Sequence, residues 1–406
     1  MDTSTAGTFR RDARVIGLVA TAHWTSHFLQ LALPPLFVFL RAEFGVSYAA
    51  LGALTAVFYI GSALSQFVAG FAVDRFGARP VLFAGMGLLA AGTFVAGFVP
   101  VFGMLYLLAA LMGIGNGVFH PADFAVLNGR VEPRRLGHAY SIHGVGGSLG
   151  YALAPLASFT LASAFGWRAA LMVMGLVGLG VLLMLAVNRR DLDTAGHRGN
   201  ETAVNRAASF AIFRQAPILL CFAFFCFYTA AIITVQTFAA PALNAAHGIT
   251  LAVATSAVSA YLLGSTAGII AGGFLVGRTW RPERLAALGL VAGAVVMVAI
   301  AALPIPAAAA VPLLAIGGFA LGSTGPSRDM LVRTIAPPGA AGRTYGFVYS
   351  GLDVGATAGP VIAGVLLDHH APRMVFAGIA VFLLLAVGTA LSTRRPAPAA
   401  AVGQLG

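Results

Sequence analysis

Two polar ladders interrupt otherwise apolar stretches of this 406-residue chain. His23, His27 and Gln30 recur at i, i+4 and i+7, which puts them on one face of a helix. Asn116, His120 and Asp123 repeat that spacing further on. Imidazoles, amides and a carboxylate on one face can hold a polar solute or relay protons. Such groups are costly in hydrocarbon, so each is a functional candidate by default. The plainer alternative is a histidine packed against a neighbouring helix and bonded to a carbonyl.

Asp353 lies about ten residues into another apolar run, roughly 15 Å deep at helical rise. No other carboxylate sits so deep, and an acid at that depth suits a proton carrier. It can equally be a carboxylate permanently paired with an arginine, or a cap on a broken helix. His143 joins it as a candidate for proton coupling. Tyr59, Tyr151, Tyr228 and Gln236 add aromatic and amide groups to a cavity with few fixed charges. Asp368-His369-His370 has only the outline of a metal cluster, since no third ligand stands at a suitable spacing. Cys221 and Cys226 fall on different faces of one helix, so they imply small core residues rather than a disulfide or a metal site. No resident metal or cofactor is expected.

These groups need elements to carry them. The chain is 59% hydrophobic and 9% charged, which cannot clothe a soluble surface and reads as an integral membrane protein. Lysine is absent, so a lysine-dependent phosphate loop or a Schiff-base lysine is excluded. Any pumping must then draw on a gradient, and an enzyme is not expected. The first apolar stretch, residues 15–40, is too long for a cleavable signal. Twelve helical spans are expected, near 15–40, 48–73, 80–99, 102–127, 137–163, 167–187, 216–240, 250–276, 284–303, 310–332, 343–367 and 373–392. Residues 188–214 are polar and divide the spans into two sets of six. The expected domains are 1–187, a linker 188–214, and 215–406.

Arginine placement sets an expected topology. Odd-to-even loops hold only Arg41, Arg168 and Arg373; the remaining arginines fall at the ends and in the even-to-odd loops. By the positive-inside rule, both termini and the linker are expected in the cytoplasm. The net charge of +11 is then a topology signal rather than a nucleic-acid footprint. His27 falls roughly 18 Å into the first span, near the midplane. Asp123 falls near the cytoplasmic face, where it would hold a gate with an arginine of the other half. Arg328 stands opposite it; it can instead bind an anionic substrate or snorkel from a helix end, with Asp329 on the same rim.

The two sets of six are copies. Gly137, Tyr140, Gly146, Gly150, Pro155 and Arg168 recur 205 residues later as Gly342, Tyr345, Gly351, Gly355, Pro360 and Arg373. Residues 70–80, GFAVDRFGARP, lie between the second and third spans. They resemble the G-x-x-x-D-R-x-G-x-R signature of the major facilitator superfamily. The resemblance implies a cytoplasmic gate at Gly70, Asp74, Arg75, Gly77 and Arg79, with Asp74 accepting hydrogen bonds from helix N-termini or arginines. A degenerate copy, with Gly277 and Arg278, follows span eight. GNGVFHP at 115–121, HGVGGSLGYALAP at 143–155 and PSRDMLVR at 326–333 are most similar to the fosmidomycin-resistance group. Two features depart from superfamily antiporters: Ala109 stands where an arginine is common, and Pro155 follows Ala154 rather than glycine.

The family pattern implies an all-α membrane protein of two six-helix bundles. Spans one, four, seven and ten would line a cavity, and spans two, five, eight and eleven would meet across the halves. The ladders Gly146-Gly150-Ala154 and Gly351-Gly355-Gly359 are expected at that interface. The expected function is proton-coupled export of a small organic molecule by a monomer in the inner membrane. The alternatives are import of a metabolite or organic anion, and a scramblase or receptor built on the same fold. Apart from substrate, lipid and protons, no partner is expected.

Overall fold

The computed structural model describes residues 3–194, 214–276, 282–325 and 341–392. They form α1 (Thr3–Gln30), α2 (Phe37–Phe44), α3 (Tyr48–Phe76), α4 (Ala78–Ala96), α5 (Gly103–Gly117), α6 (Phe119–Arg130), α7 (Leu136–Phe165) and α8 (Trp167–Val187). The second half supplies α9 (Ala216–His247), α10 (Leu251–Val276), α11 (Pro282–Ala302), α12 (Ala307–Gly322), α13 (Ala341–Asp368) and α14 (Pro372–Ser392). Ten helices among the described residues are long and apolar enough to cross a membrane, and α12 is a shorter apolar helix. Two expected spans are broken rather than continuous. Pro34 and Pro35 cannot bond back to the carbonyls four residues earlier, so α1 stops at Gln30 and a 3-10 turn, Pro34–Leu36, leads into α2. The Ser158 hydroxyl donates to the carbonyl of Ala32 at 2.7 Å, satisfying a group the break frees. Pro121 does the same to the fourth span, splitting it at Val118 into α5 and α6.

The duplication read from the sequence is a duplication of contacts. In the first half α3 packs on α5, α1 on α7, and α4 on α8; in the second α10 packs on α12, α9 on α13, and α11 on α14. Left-handed glycines end equivalent helices, Gly45 after α2 and Gly248 after α9. The halves meet through α3 against α13 and α7 against α10, as the family pattern implies.

The glycine ladders, however, face inward within each half. A methyl group on Gly150 would stand 2.2 Å from the Trp24 carbonyl oxygen, and one on Gly355 2.0 Å from that of Cys226. Gly146 and Gly359 abut α1 and α9 in the same way. The ladders therefore seal the α1–α7 and α9–α13 seams. Backbone approach between halves is carried instead by Gly52 against Pro360 and Gly364 against Tyr48.

Those contacts lie at the end of the bundle away from the linker, and one carboxylate reinforces them. Asp368, at the C-terminus of α13, accepts hydrogen bonds from the backbone N–H groups of Tyr48 and Ala49, each at 2.8 Å. It thus caps the first turn of α3 from the other half, where the helix dipole favours an anion. Among the described residues the seams are open at the linker end: Gly70, Gly137, Gly144 and Gly273 have nothing within 4 Å of an added methyl group. Among the described residues, the cleft between the halves opens toward the linker.

Candidate functional site

Three helices of the first half converge on one polar cluster. α1 brings His23, His27 and Gln30; α6 brings His120 and Asp123; α7 brings His143 and Tyr151. His143 Nε2 is 3.0 Å from Asp123 Oδ2. The His23 ring stacks on His143 at 3.6 Å between centroids, 19° from parallel. His23 Nδ1 is 3.3 Å from the same carboxylate oxygen. The angle there is not that of a hydrogen bond, so His23 Nδ1 and Asp123 Oδ1 are both buried with no hydrogen-bond partner.

The cluster continues as a chain. His23 Nε2 faces His27 Nε2 at 3.0 Å. His27 Nδ1 is 3.1 Å from Gln30 Oε1, which also accepts from the Tyr151 hydroxyl at 2.8 Å. The Gln30 amide donates to the Tyr59 hydroxyl on α3 at 3.0 Å. His23, Asp123 and His143 are buried, whereas His120 is exposed. Gly147 makes room for the pair: a methyl group there would lie 2.6 Å from His27 and 2.7 Å from His23.

Several expected residues fall into place differently. The first-span face of His23, His27 and Gln30 holds. The fourth-span ladder does not: the break at Val118 turns Asn116 away, and its amide donates to Ser62 on α3 at 3.2 Å. Among the described residues Asp123 pairs with no arginine of the other half. It is fully buried against His143 and His23 within its own half. His143 likewise pairs with Asp123 rather than standing with Asp353.

In the second half Tyr228 is buried and stacks on Phe224, with centroids 5.9 Å apart. Gln236 is buried beside Thr237 in a crevice walled by Pro34, Pro155 and Thr255. Asp353 is half-buried on α13. Among the described residues it makes no ion pair.

At the linker end Gly77 makes the α3–α4 turn with φ +84°. Arg79 pairs with Asp193 at 3.0 Å, at the start of the linker. Asp74 and Arg75 are exposed. Among the described residues Asp74 accepts no hydrogen bond, and Gly70 meets nothing. Arg328, Asp329, Gly277 and Arg278 lie outside the described residues. The sequence reading missed the role of Asp368 and the convergence of four histidines. A carboxylate ending an apolar span marks the first; the second has no local signal.

Comparison with known proteins places these features. A model of the Major Facilitator Superfamily matches residues 19–239 and 220–405. The chain is 28% identical over 266 residues to the fosmidomycin resistance protein of Escherichia coli, covering 64% of each chain. It is 26% identical to a probable sulfoacetate transporter of Cupriavidus necator, over 87% of both. It is 23% identical to the hexuronate transporter of Bacillus subtilis, over 88% of this chain and 89% of that one. Among solved structures, a bacterial homologue of the human lysosomal transporter Spinster, inward-facing and unoccupied, superposes with a TM-score of 0.76. That match has 16% identity, 95% coverage of this chain and 99% of the other. The nucleoside transporter NupG, as a mutant, gives 0.78 at 12% identity, covering 94% and 100%.

Proposed function

This chain belongs to the Major Facilitator Superfamily, and from that premise we propose that it is a proton-coupled exporter of a small organic molecule. The coarser statement, a multi-pass membrane transporter of small molecules, needs no proposal. Direction and coupling ion are the steps beyond it. The arginine bias supports placing the linker in the cytoplasm of a bacterial-type inner membrane, where the cleft is inward-open and a monomer suffices. Substrate would enter between the halves from the cytoplasm. It would meet His120, His27 and Gln30 on one side and the Tyr228–Gln236 face of α9 on the other. Closure at the linker end through the Asp74 turn, and release at the Asp368 end, would complete the cycle.

One observation carries the coupling. Asp353 is a half-buried carboxylate at membrane depth on α13, the helix that meets α3 of the other half, with no cationic partner among the described residues. Water reaching it from one side and then the other lets it load and release a proton once per cycle. Substrate bound from the cytoplasm would be exchanged for a proton delivered from outside. In proteoliposomes with an imposed pH gradient, wild-type protein is expected to drive substrate uphill. Asp353→Asn is expected to lose that drive while keeping substrate exchange at equal pH. Uphill transport by Asp353→Asn removes Asp353 from the mechanism.

A second reading, uptake of an organic anion with protons, is favoured by the near full-length likeness to proteins named as sulfoacetate and hexuronate transporters. The same gradient moves an exported and an imported substrate in opposite directions, so the sign of flux separates the two.

A further inference from the structure

His23, His27 and His120 carry an inference that the transport reading does not need. With the Gln30 oxygen accepting at His27 Nδ1, that nitrogen holds the ring hydrogen and Nε2 presents a lone pair. The Asp123 carboxylate, 3.3 Å from His23 Nδ1, favours the same tautomer for His23. Two bare nitrogens would then face each other at 3.0 Å in a buried site. Lone pairs at that distance repel unless a cation lies between or beside them. A proton could serve two nitrogens, but a third imidazole converges here. The His120 ring centre is 5.0 Å from that of His23 and 6.1 Å from that of His27, tilted 60° and 56° to them. One ring nitrogen from each of the three lies within 4.8 Å of the others.

We propose that His23, His27 and His120 form a binding site for one divalent transition-metal ion of the zinc, cobalt or nickel class, open to the transport cleft. Tetrahedral bonds of about 2.1 Å to nitrogen place ligand atoms about 3.4 Å apart. The His23–His27 pair is within 0.4 Å or so of that spacing, and the exposed His120 has freedom to close the set. Three neutral imidazoles with a fourth position facing a cavity suit borderline metals. The Gln30 carbonyl already accepts at His27 Nδ1, and the Asp123 carboxylate stands 3.3 Å behind His23 Nδ1, where a small ring rotation would complete the carboxylate–histidine–metal arrangement that fixes ring orientation. The other grouping, His23, Asp123 and His143, is less suited. Its two rings lie nearly parallel at 3.6 Å, so their lone pairs run side by side instead of converging.

The test uses full-length protein in nanodiscs, purified without a polyhistidine tag. A His369→Gln, His370→Gln background removes the exposed histidine pair at the far end. Cobalt is titrated by visible absorption and zinc by calorimetry, with thermal melts recorded for every variant. Binding of one ion per chain is expected, with a tetrahedral-type cobalt spectrum. His27→Gln and His120→Gln are each expected to weaken binding at least about tenfold, and Asp123→Asn roughly 10–100-fold. His120 is exposed, so its variant is expected to melt like the parent. Asp353→Asn is expected to bind normally, which separates failure of this site from failure of the coupling reading. Absence of saturable one-to-one binding, or binding undiminished in both His27→Gln and His120→Gln, overturns the proposal and leaves a proton alone between the two nitrogens.

Discussion

Replacing Asp368 should shift the conformational equilibrium of the whole molecule. Its carboxylate satisfies two of the first-turn donors of α3, at Tyr48 and Ala49, while Ser47 within α3's own half satisfies the third at Ala50. The two Asp368 bonds exist only while the far end is closed. A hydrogen bond to a charged acceptor contributes about 1.5–3 kcal/mol net, and an anion at a helix N-terminus adds about 0.3–1 kcal/mol. The freed N–H groups regain water when the end opens, so a combined loss of about 2 kcal/mol is expected for Asp368→Ala. That is roughly a 30-fold change in the closed-to-open ratio. Asn keeps one oxygen acceptor but no charge, and about 1 kcal/mol, roughly fivefold, is expected for it. The assay is a distance measurement between spin labels at Ala164→Cys and Thr250→Cys, exposed positions at the far ends of α7 and α10. Cys221 and Cys226 are replaced by alanine beforehand. The short-distance population should shrink from parent to Asp368→Asn to Asp368→Ala. Identical distance distributions in all three would show that the cap does not hold the far end shut.

Two further outcomes follow from the same contacts. Gly150→Ala places a methyl group 2.2 Å from the Trp24 carbonyl; it should destabilise the first half by roughly 1–3 kcal/mol, read as a lowered melting temperature in detergent. Glu43, beyond the end of the first span, is held below its ordinary value of 4.5 by hydrogen bonds from Trp167 and then Arg168. A depressed acid stabilises the fold above its unfolded value and loses that contribution as pH falls through the folded one. Melting temperature should therefore drop on acidification below about pH 4.5 in the parent, and Glu43→Gln should flatten that part of the profile. An unchanged profile in Glu43→Gln would assign the acid sensitivity to other carboxylates.

The architecture was legible because it rests on local chemistry repeated many times. Apolar runs, arginine-rich loops and a 205-residue recurrence each report a short stretch, and they agree. The helix breaks were equally local, yet Pro34, Pro35 and Pro121 were read inside continuous spans. That error carried Asn116 onto a face it does not share with His120 and Asp123. The site itself was half legible. The His23–His27–Gln30 face depends on one unbroken helix and was read correctly. Its meeting with His120, Asp123 and His143 depends on which helices pack side by side, and no spacing along the chain encodes that. Asp123 was assigned to a gate because its depth was inferred from position in the chain. Its partner was decided by α7, twenty residues away.

The glycine seams show why the polar cluster is not a requirement of packing. Ala20 and Trp24 receive Gly146 and Gly150 as Phe222 and Cys226 receive Gly351 and Gly355, an offset of 202 residues in the first helix of each half. At that offset His23 corresponds to Phe225, and both are buried. His143 corresponds to Val348, also buried. Where the first half stacks His23 on His143, the second buries Phe225 and Val348 at the matching positions. One backbone seam thus accepts either an apolar pair or an imidazole pair. An apolar pair costs nothing to bury, whereas the imidazoles and Asp123 bring desolvation and two unpartnered atoms, His23 Nδ1 and Asp123 Oδ1. A scaffold that closes this seam without polar groups in one half gains no stability from adding them in the other. The excess chemistry on α1, α6 and α7 is therefore not a requirement of closing the seam.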